Sequence, residues 1–323
     1  MPHAIRVHET GGPEVLRWEE VEVGEPRPGQ VRLQQEAAGI NFIDVYHRTG
    51  LYPQPLPFTP GVEGAGVIEA VGPNVTAVKV GDRVAYAGPI GGYAETRLID
   101  ADRLMKLPDS IPSEQAAAAM LQGMTVHMLL RRVYAVRAGD TILVHAAAGG
   151  VGLIACQWGK ALGATVIGTV GSDAKAELAR AHGCDHPIVY TREDFVTEVE
   201  RITAGKKLPV VYDSVGKDTF LKSLDCLAPR GMMVSFGNAS GPVDPFPPAI
   251  LAQKGSLFLT RPALFDYIAT RPELEQAANE LFGMLATGAV KVEVKQRFAL
   301  EDAAEAHRAL EGRKTSGSTV LTI

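Results

Sequence analysis

Thr141-Ile-Leu-Val-His-Ala-Ala-Ala-Gly-Gly-Val-Gly-Leu-Ile-Ala155 is the stretch on which the fold turns. The apolar, β-rich run at 141–145 reads as a buried strand, and the residues from 150 to 162 read as a helix. Only small residues lie between them, closing in Gly149-Gly150-Val151-Gly152. Gly149 permits a tight turn, Gly150 lets a pyrophosphate approach the backbone, and Gly152 lets the helix pack closely on the strand. Free N–H groups at the helix start, with the helix dipole, then hold an anion. No Gly-Lys-Ser/Thr follows, which disfavours a Walker-type phosphate loop.

Outward from this turn, strands and helices alternate. Strands are expected at 164–169, 187–190, 210–213, 232–236 and 257–260, with a helix at 173–182. Alternation of this kind builds βαβ units and a doubly wound parallel sheet. Upstream, residues 114–132 read as one helix. From 4 to 102 the texture is different: short β-rich runs at 31–35, 66–71 and 82–86 are broken by Gly and Pro, with one helix at 41–48 that Asn41 can cap. Downstream come a helix at 271–286, a strand at 291–297, a short helix at 301–310 and a last strand at 318–323. The expected architecture is therefore α/β, an irregular β-domain plus a doubly wound sheet.

The end of the second strand bears on which dinucleotide is bound. An NAD site places Asp or Glu there for the ribose 2′-OH. Here the strand ends Gly168-Thr169-Val170-Gly171-Ser172, with no acid at its tip. Ser172 offers a hydrogen bond and Lys175 a charge, which suits a 2′-phosphate and so NADPH. Asp173 falls three residues late for the NAD role, and Lys175 alternatively is a solvated lysine at a helix start.

Composition limits the rest. The chain has 323 residues with 46% hydrophobic, which suits about two domains with a core each. Three cysteines, Cys156, Cys184 and Cys226, show no CxxC spacing, pointing to a reducing compartment and away from Cys-rich zinc folds. A net charge of −5 disfavours nucleic acid or a membrane surface as the main partner. No signal core and no long apolar span occur, so a cytoplasmic, soluble protein is expected. The apolar run at 257–260 reads as a sheet edge, and a homodimer through that edge is expected.

Longer stretches carry a family resemblance. They are Gly11-Gly-Pro-Glu-Val-Leu, Gly39-Ile-Asn-Phe-Ile-Asp-Val-Tyr, Arg48-Thr-Gly-Leu-Tyr-Pro, Pro60-Gly-Val-Glu-Gly-Ala-Gly-Val-Ile, Val80-Gly-Asp-Arg-Val-Ala-Tyr, His145-Ala-Ala-Ala-Gly-Gly-Val-Gly and Val211-Tyr-Asp-Ser-Val-Gly. In this order they resemble the medium-chain dehydrogenase/reductase superfamily, and within it the NADPH:quinone oxidoreductases of the zeta-crystallin-like group. The resemblance covers the whole length. It implies a discontinuous GroES-like substrate and catalytic domain, 1–123 and 265–323, and a Rossmann NADP-binding domain, 124–264. Zinc-dependent relatives place Cys where this chain has Asn41, and Gly-His-Glu where it has Gly61-Val62-Glu63. Those substitutions, with the missing four-Cys lobe, imply a metal-free enzyme.

Without a metal, quinone reduction is easier than alcohol oxidation, because the acceptor is electron-poor and the product anion is delocalised. The protein must then hold nicotinamide C4 near the quinone, in the cleft between the domains, and exclude water. Asn41, Tyr46 and Tyr52 are the catalytic candidates. Asn41 is a plain helix cap, a donor to a carbonyl or the cofactor, or both. The tyrosines orient and stack on flat rings, donate a proton, or merely pack. The resemblance also assigns Phe42, Thr125, Gly171, Tyr190, Phe236, Gly237, Asn238 and Arg261 to the cofactor, with Tyr190 at the adenine end and Thr125 and Arg261 toward the nicotinamide. Glu63, His127 and His145 read as structural. Two alternatives remain: an NADPH-dependent reductase of α,β-unsaturated carbonyls, and an NADPH-binding protein with a structural or RNA-binding role of the crystallin type.

Overall fold

In this computed structural model, which describes Met1–Ile323, the strand Thr141–Val144 pairs in parallel on both edges, with Thr165–Val170 and with Leu208–Asp213. A strand flanked on both sides and covered on both faces has no use for polar alternation, and Ile142, Leu143 and Val144 are all buried. The full sheet has six parallel strands in the order His186–Val189, Thr165–Val170, Thr141–Val144, Leu208–Asp213, Leu227–Ser235, Phe258–Thr260. That is the 3-2-1-4-5-6 order of dinucleotide folds, whose direction reverses beside the central strand. Leu143, Ile167, Val211 and Met233 meet Phe220 and Leu227 in one buried cluster. Each such side chain contributes about 1.5–3 kcal/mol.

The strand Gln30–Gly39 organises the second sheet. Along it run Glu63–Val71 and, at its two ends, Thr96–Asp100 and Ser318–Thr322, all antiparallel. Val294–Ala299, Arg83–Ala87 and Met105–Lys106 extend the sheet outward. Val31 and Leu33 point into a core with Ile68, Val84, Tyr86 and Leu104. Gln35 occupies the next inward position, and its burial is matched by bonds. Its Nε2 donates to Gly92 O (2.8 Å) and Ala94 O (2.5 Å), and its Oε1 accepts from Tyr86 OH (2.5 Å). The C-terminal strand joins through Val320 opposite Gly39 and Leu321 opposite Ala38, so the last residues of the chain complete the sheet organised by Gln30–Gly39.

The chain divides into two units, one comprising Met1–Met124, Ile268–Ala286 and Val292–Ile323, the other Thr125–Tyr267 and Thr287–Lys291. Three readings meet a sharper outcome in the structure. The helix expected at 114–132 is three pieces: Ser113–Ala117, Met120–His127 and a π-helical turn Met128–Val133. The break falls in the fully buried run Ala116-Ala117-Ala118-Ala119, where identical small residues give periodicity no marker. The strand at 257–260 does lie on the sheet edge, with Phe258 58% and Leu259 37% exposed and Leu257 buried. No helix is long and apolar enough to cross a membrane.

Candidate active site

The turn after Thr141–Val144 is shaped by what its glycines lack. Gly149 N–H donates to Ala146 O (2.9 Å), closing the turn, and Leu153 N–H donates to Gly149 O (2.8 Å), opening the helix Gly150–Ala161. A Cβ on Gly152 would fall 2.3 Å from Ala146 O and 2.7 Å from Ala147 Cα, inside backbone contact. The first-turn N–H groups of this helix, at Gly150, Val151 and Gly152, have no intrahelical acceptor by geometry. Ala146 itself stands at φ 54°, a left-handed conformation that costs a non-glycine residue energy. His145, directly before it, is fully buried between Thr169 Oγ1 (2.8 Å) and Ser223 Oγ (2.9 Å). Ser223 Oγ donates its proton to Thr219 O (2.8 Å), so it accepts from His145 Nε2, and Thr169 donates to Nδ1. Burial lowers the His145 pKa. The ring is a neutral brace for the strand ends.

At the tip of Thr165–Val170, Gly171, Ser172 and Tyr190 come together. A Cβ on Gly171 would lie 2.9 Å from Tyr190 OH, so the Tyr190 ring, 44% exposed, lies over the glycine. Ser172 caps the helix Asp173–Ala181 and accepts from Lys175 N–H (3.4 Å), which leaves its own hydroxyl proton to donate. Asp173 is engaged by Arg192, whose two guanidinium nitrogens reach its two oxygens at 2.8 and 2.6 Å. The Arg192 hydrogen bond holds the Asp173 carboxyl below its ordinary pKa. Sequence reasoning missed Arg192, because the partner is nineteen residues away and no local spacing marks it.

After Leu227–Ser235, Phe236 N–H donates to Asp213 O (2.8 Å). A Cβ on Gly237 would sit 2.3 Å from Ser214 O. Arg261 Nη1 donates to Gly237 O (3.1 Å), and the Asn238 carboxamide donates to Gly237 O (3.0 Å) while accepting from Arg261 Nη2 (3.0 Å). The structure thus groups Phe236, Gly237, Asn238 and Arg261 at the C-terminal end of the sheet. Thr125 lies half-buried near the end of the helix Met120–His127, and His127 is buried with its ring 6.1 Å from Trp158.

In the other unit, Asn41 begins the helix Phe42–Thr49 in extended backbone, φ −138°. Asp44 reaches back so that its Oδ2 accepts from Asn41 N–H (2.9 Å). The Asn41 side chain turns elsewhere than a simple cap requires. Its Nδ2 donates to Glu63 Oε1 (2.6 Å) and its Oδ1 accepts from Gln122 Nε2 (3.1 Å). Glu63 is wholly buried, and its second oxygen accepts from Leu121 N–H (2.7 Å), a donor exposed by the helix break before Met120. Burial pushes the Glu63 pKa up to about 8 and that of Asp44 up to about 7. Behind Asp44 runs a second polar line. Tyr93 OH donates to Asp44 Oδ2 (2.9 Å), His307 Nε2 lies 3.2 Å from Tyr93 OH, and Arg48 Nη1 donates to His307 Nδ1 (3.1 Å). Arg48, 1% exposed, closes on the Glu311 carboxylate at 2.9 and 2.8 Å.

Phe42 and Tyr46 on the same helix, with Tyr52 just beyond its end, form one aromatic group. Phe42 and Tyr46 centroids lie 6.2 Å apart, and Tyr46 and Tyr52 meet edge to face at 5.2 Å. Tyr52 N–H donates to Tyr46 O (3.0 Å). No group of three or more His, Cys, Asp or Glu is placed to hold a metal ion.

Comparison with known proteins gives the family. Residues 27–109 match the alcohol dehydrogenase GroES-like domain and residues 150–282 the family described as zinc-binding dehydrogenase. A quinone oxidoreductase of Pseudomonas aeruginosa is 56% identical over 323 residues, 99% of each chain. The chain belongs to the quinone oxidoreductase family of medium-chain dehydrogenases/reductases. A crystal structure of the Escherichia coli quinone oxidoreductase complexed with NADPH superposes with a TM-score of 0.98 at 51% identity, covering 99% of this chain and 100% of that one. A 2-haloacrylate reductase from a Burkholderia species is 48% identical over 99% of both chains. In this chain the Asn41 amide and the Glu63 carboxylate are bonded to each other, and the second Glu63 oxygen accepts from Leu121 N–H.

Proposed function

We propose that this protein is an NADPH-dependent, zinc-independent quinone reductase. The observation that carries the reading is the Asn41–Glu63 pair within a chain 56% identical to a quinone oxidoreductase. An amide locked onto a buried carboxylate is a poor ligand for zinc, which favours Cys, His and ionised carboxylates arranged around an open position. Such an amide is suited to donating or accepting one hydrogen bond toward an organic carbonyl or a ribose.

The sheet unit fits the cofactor. A glycine at 152 is required by the backbone itself; with Gly149 closing the turn onto Ala146 O, the N–H groups at Gly150, Val151 and Gly152 would hold the pyrophosphate. Ser172 and Lys175 would take the 2′-phosphate, with Asp173 neutralised by Arg192 rather than repelling it. Gly171 and Tyr190 would form the adenine end, and Phe236, Gly237, Asn238, Arg261 and Thr125 the side toward the nicotinamide, along with Asn41, Phe42 and Tyr46. NADPH, when bound, supplies the hydride. The residues of the chain do the remaining work: Tyr46 and Tyr52 present flat faces and phenolic O–H groups, Asn41 presents its amide, and the aromatic group, buried at Tyr46 and half-buried at Phe42 and Tyr52, limits water. Phe258 and Leu259, exposed on the sheet edge, are the surface through which two copies would pair, and a monomer by light scattering at micromolar concentration would count against that pairing. The site lies in a protein read as soluble and cytoplasmic.

NADPH oxidation against para-quinones, ortho-quinones and enones tests the reading. Turnover on quinones is expected; turnover on enones alone selects the second reading, a reductase of α,β-unsaturated acids or ketones, which the relationship to a 2-haloacrylate reductase favours. Tight NADPH binding without turnover on any of them overturns both.

A further inference from the structure

Ser318, Gln122, Asn41 and Glu63 form a row of hydrogen bonds with a single direction. Ser318 Oγ donates to Gln122 Oε1 (2.8 Å), Gln122 Nε2 to Asn41 Oδ1 (3.1 Å), and Asn41 Nδ2 to Glu63 Oε1 (2.6 Å). The row ends at a carboxylate whose other oxygen already accepts from Leu121 N–H (2.7 Å). An ionised carboxylate only accepts, so the direction of the whole row is set at its Glu63 end. Gly39 makes the room, since a Cβ there would fall 2.2 Å from Glu63 Oε1 and 2.3 Å from Ala117 O.

We propose that Glu63 is the positioning residue for Asn41: as a carboxylate it fixes which end of the Asn41 amide points each way, and so which hydrogen-bonding group Asn41 offers to substrate and cofactor. An amide has two N–H groups and two oxygen lone pairs, and one of each is committed to this row. Any group at 63 that carries a donor, the neutral acid or a glutamine, reverses the row without breaking it. Leu121 N–H keeps one oxygen. The other atom then donates to Asn41 Oδ1, Asn41 Nδ2 turns to Gln122 Oε1, and Gln122 Nε2 turns to Ser318 Oγ. Donor and acceptor exchange places on the remaining edge of Asn41.

The surroundings bring this reversal within range of titration. Asp44, on the helix Phe42–Thr49, adds like charge to the burial that raises Glu63 to about 8. Tyr86 and Tyr93, the other titratable groups near it, are buried, pushed upward and neutral.

The role of Asn41 in catalysis rests on the reading under Proposed function, so the first readout avoids activity. The chain contains four asparagines, Asn41, Asn74, Asn238 and Asn279. In cofactor-free protein labelled with 15N-asparagine, the Asn41 side-chain resonance, assigned by its loss in Asn41→Ser, is expected to shift between about pH 6 and pH 9. In Glu63→Gln the step near pH 8 is expected to vanish, leaving only the smaller shift from Asp44 near pH 7, and the resonance is expected to stay near the low-pH position of the unaltered protein. Asp44 titrates in both proteins, so the difference belongs to Glu63. At about pH 9, Glu63→Gln is expected to lower kcat for quinone reduction by about tenfold or more with KM for NADPH within about twofold, the ratio closing toward one near pH 6. In an Asn41→Ala background it should change nothing further. An Asn41 resonance indifferent to Glu63→Gln, or an equal rate loss with and without Asn41, overturns the proposal. Should Glu63→Gln not fold, the pH titration of the unaltered protein decides: a resonance that does not move across that range overturns it. If no quinone is reduced, the functional reading fails and the resonance still decides the role of Glu63.

Discussion

The glycine turn at 149–152 and the polar row around Asn41 are built on opposite principles. The turn depends on side chains that are absent, because a Cβ at Gly152 would meet Ala146 O at 2.3 Å. The row depends on side chains that are present and bonded to one another from Ser318 to Glu63, all but Asn41 buried. Absence is a local property and repeats in a fixed spacing. Mutual satisfaction is a tertiary property and leaves no spacing at all: Asn41, Glu63, Gln122 and Ser318 come from four separate elements. The first kind of site tolerates almost no added volume, whereas the second tolerates volume but no mismatch of donors and acceptors.

Gly152→Val presses hardest on this contrast. Backbone must move to admit the side chain, so a loss of about 3 kcal/mol or more in urea denaturation is expected, with NADPH binding by fluorescence titration abolished. A variant that binds NADPH normally would show that the close packing at Gly152 is incidental. Next in size is Glu311→Ala, which strands the Arg48 guanidinium, 1% exposed, beside His307. A destabilisation of about 2 kcal/mol is expected, since Glu311 lies at the surface but its removal leaves the buried guanidinium with only Gly11 O and His307 as partners; a change under about 0.5 kcal/mol would place Arg48 in contact with water.

The pH response sharpens the second half of the comparison. Burial raises Glu63 to about 8, so the folded chain holds a proton that the unfolded chain releases at ordinary carboxylate values. The stability this supplies is complete below those values and declines as pH rises, disappearing above about 8. Glu63→Gln should therefore gain on the unaltered protein between about pH 5 and pH 9, by roughly 4 kcal/mol in paired denaturation curves. A constant difference across that window would mean that Glu63 titrates normally.

Much of the parallel sheet was legible because its strands carry short apolar runs, as at Ile142-Leu-Val144, Val210-Val-Tyr212 and Met232-Met-Val234, and one ends in a plain glycine-and-cap signal at Val170-Gly171-Ser172. Tyr46 and Tyr52 were legible as candidate ring-stacking groups and Phe42 from the resemblance, but that the three meet as one aromatic group was not. Glu63 was read as merely structural, since one acid in a glycine-rich strand carries no pattern, and only the fold brings it to Asn41. Arg192 was invisible for the same reason. Where the helix over 114–132 breaks could not be read from four consecutive alanines, yet that break supplies the Leu121 N–H that Glu63 accepts.

Lys175→Ala gives the smallest expected effect. It should raise KM for NADPH about tenfold and that for NADH less than about twofold, the loss of one charged contact to a phosphate. Equal changes for both cofactors would remove Lys175 from the 2′-phosphate site and leave Ser172 and Arg192 as its neighbours.

The central claim is that this fold reduces quinones with no metal at the Asn41 position. Its most direct test is the rate of NADPH oxidation by a para-quinone in protein whose zinc content has been measured by elemental analysis, before and after exhaustive chelation. The account predicts the same turnover at a zinc content far below one per chain; turnover that falls with chelation and returns in proportion to added zinc would contradict it.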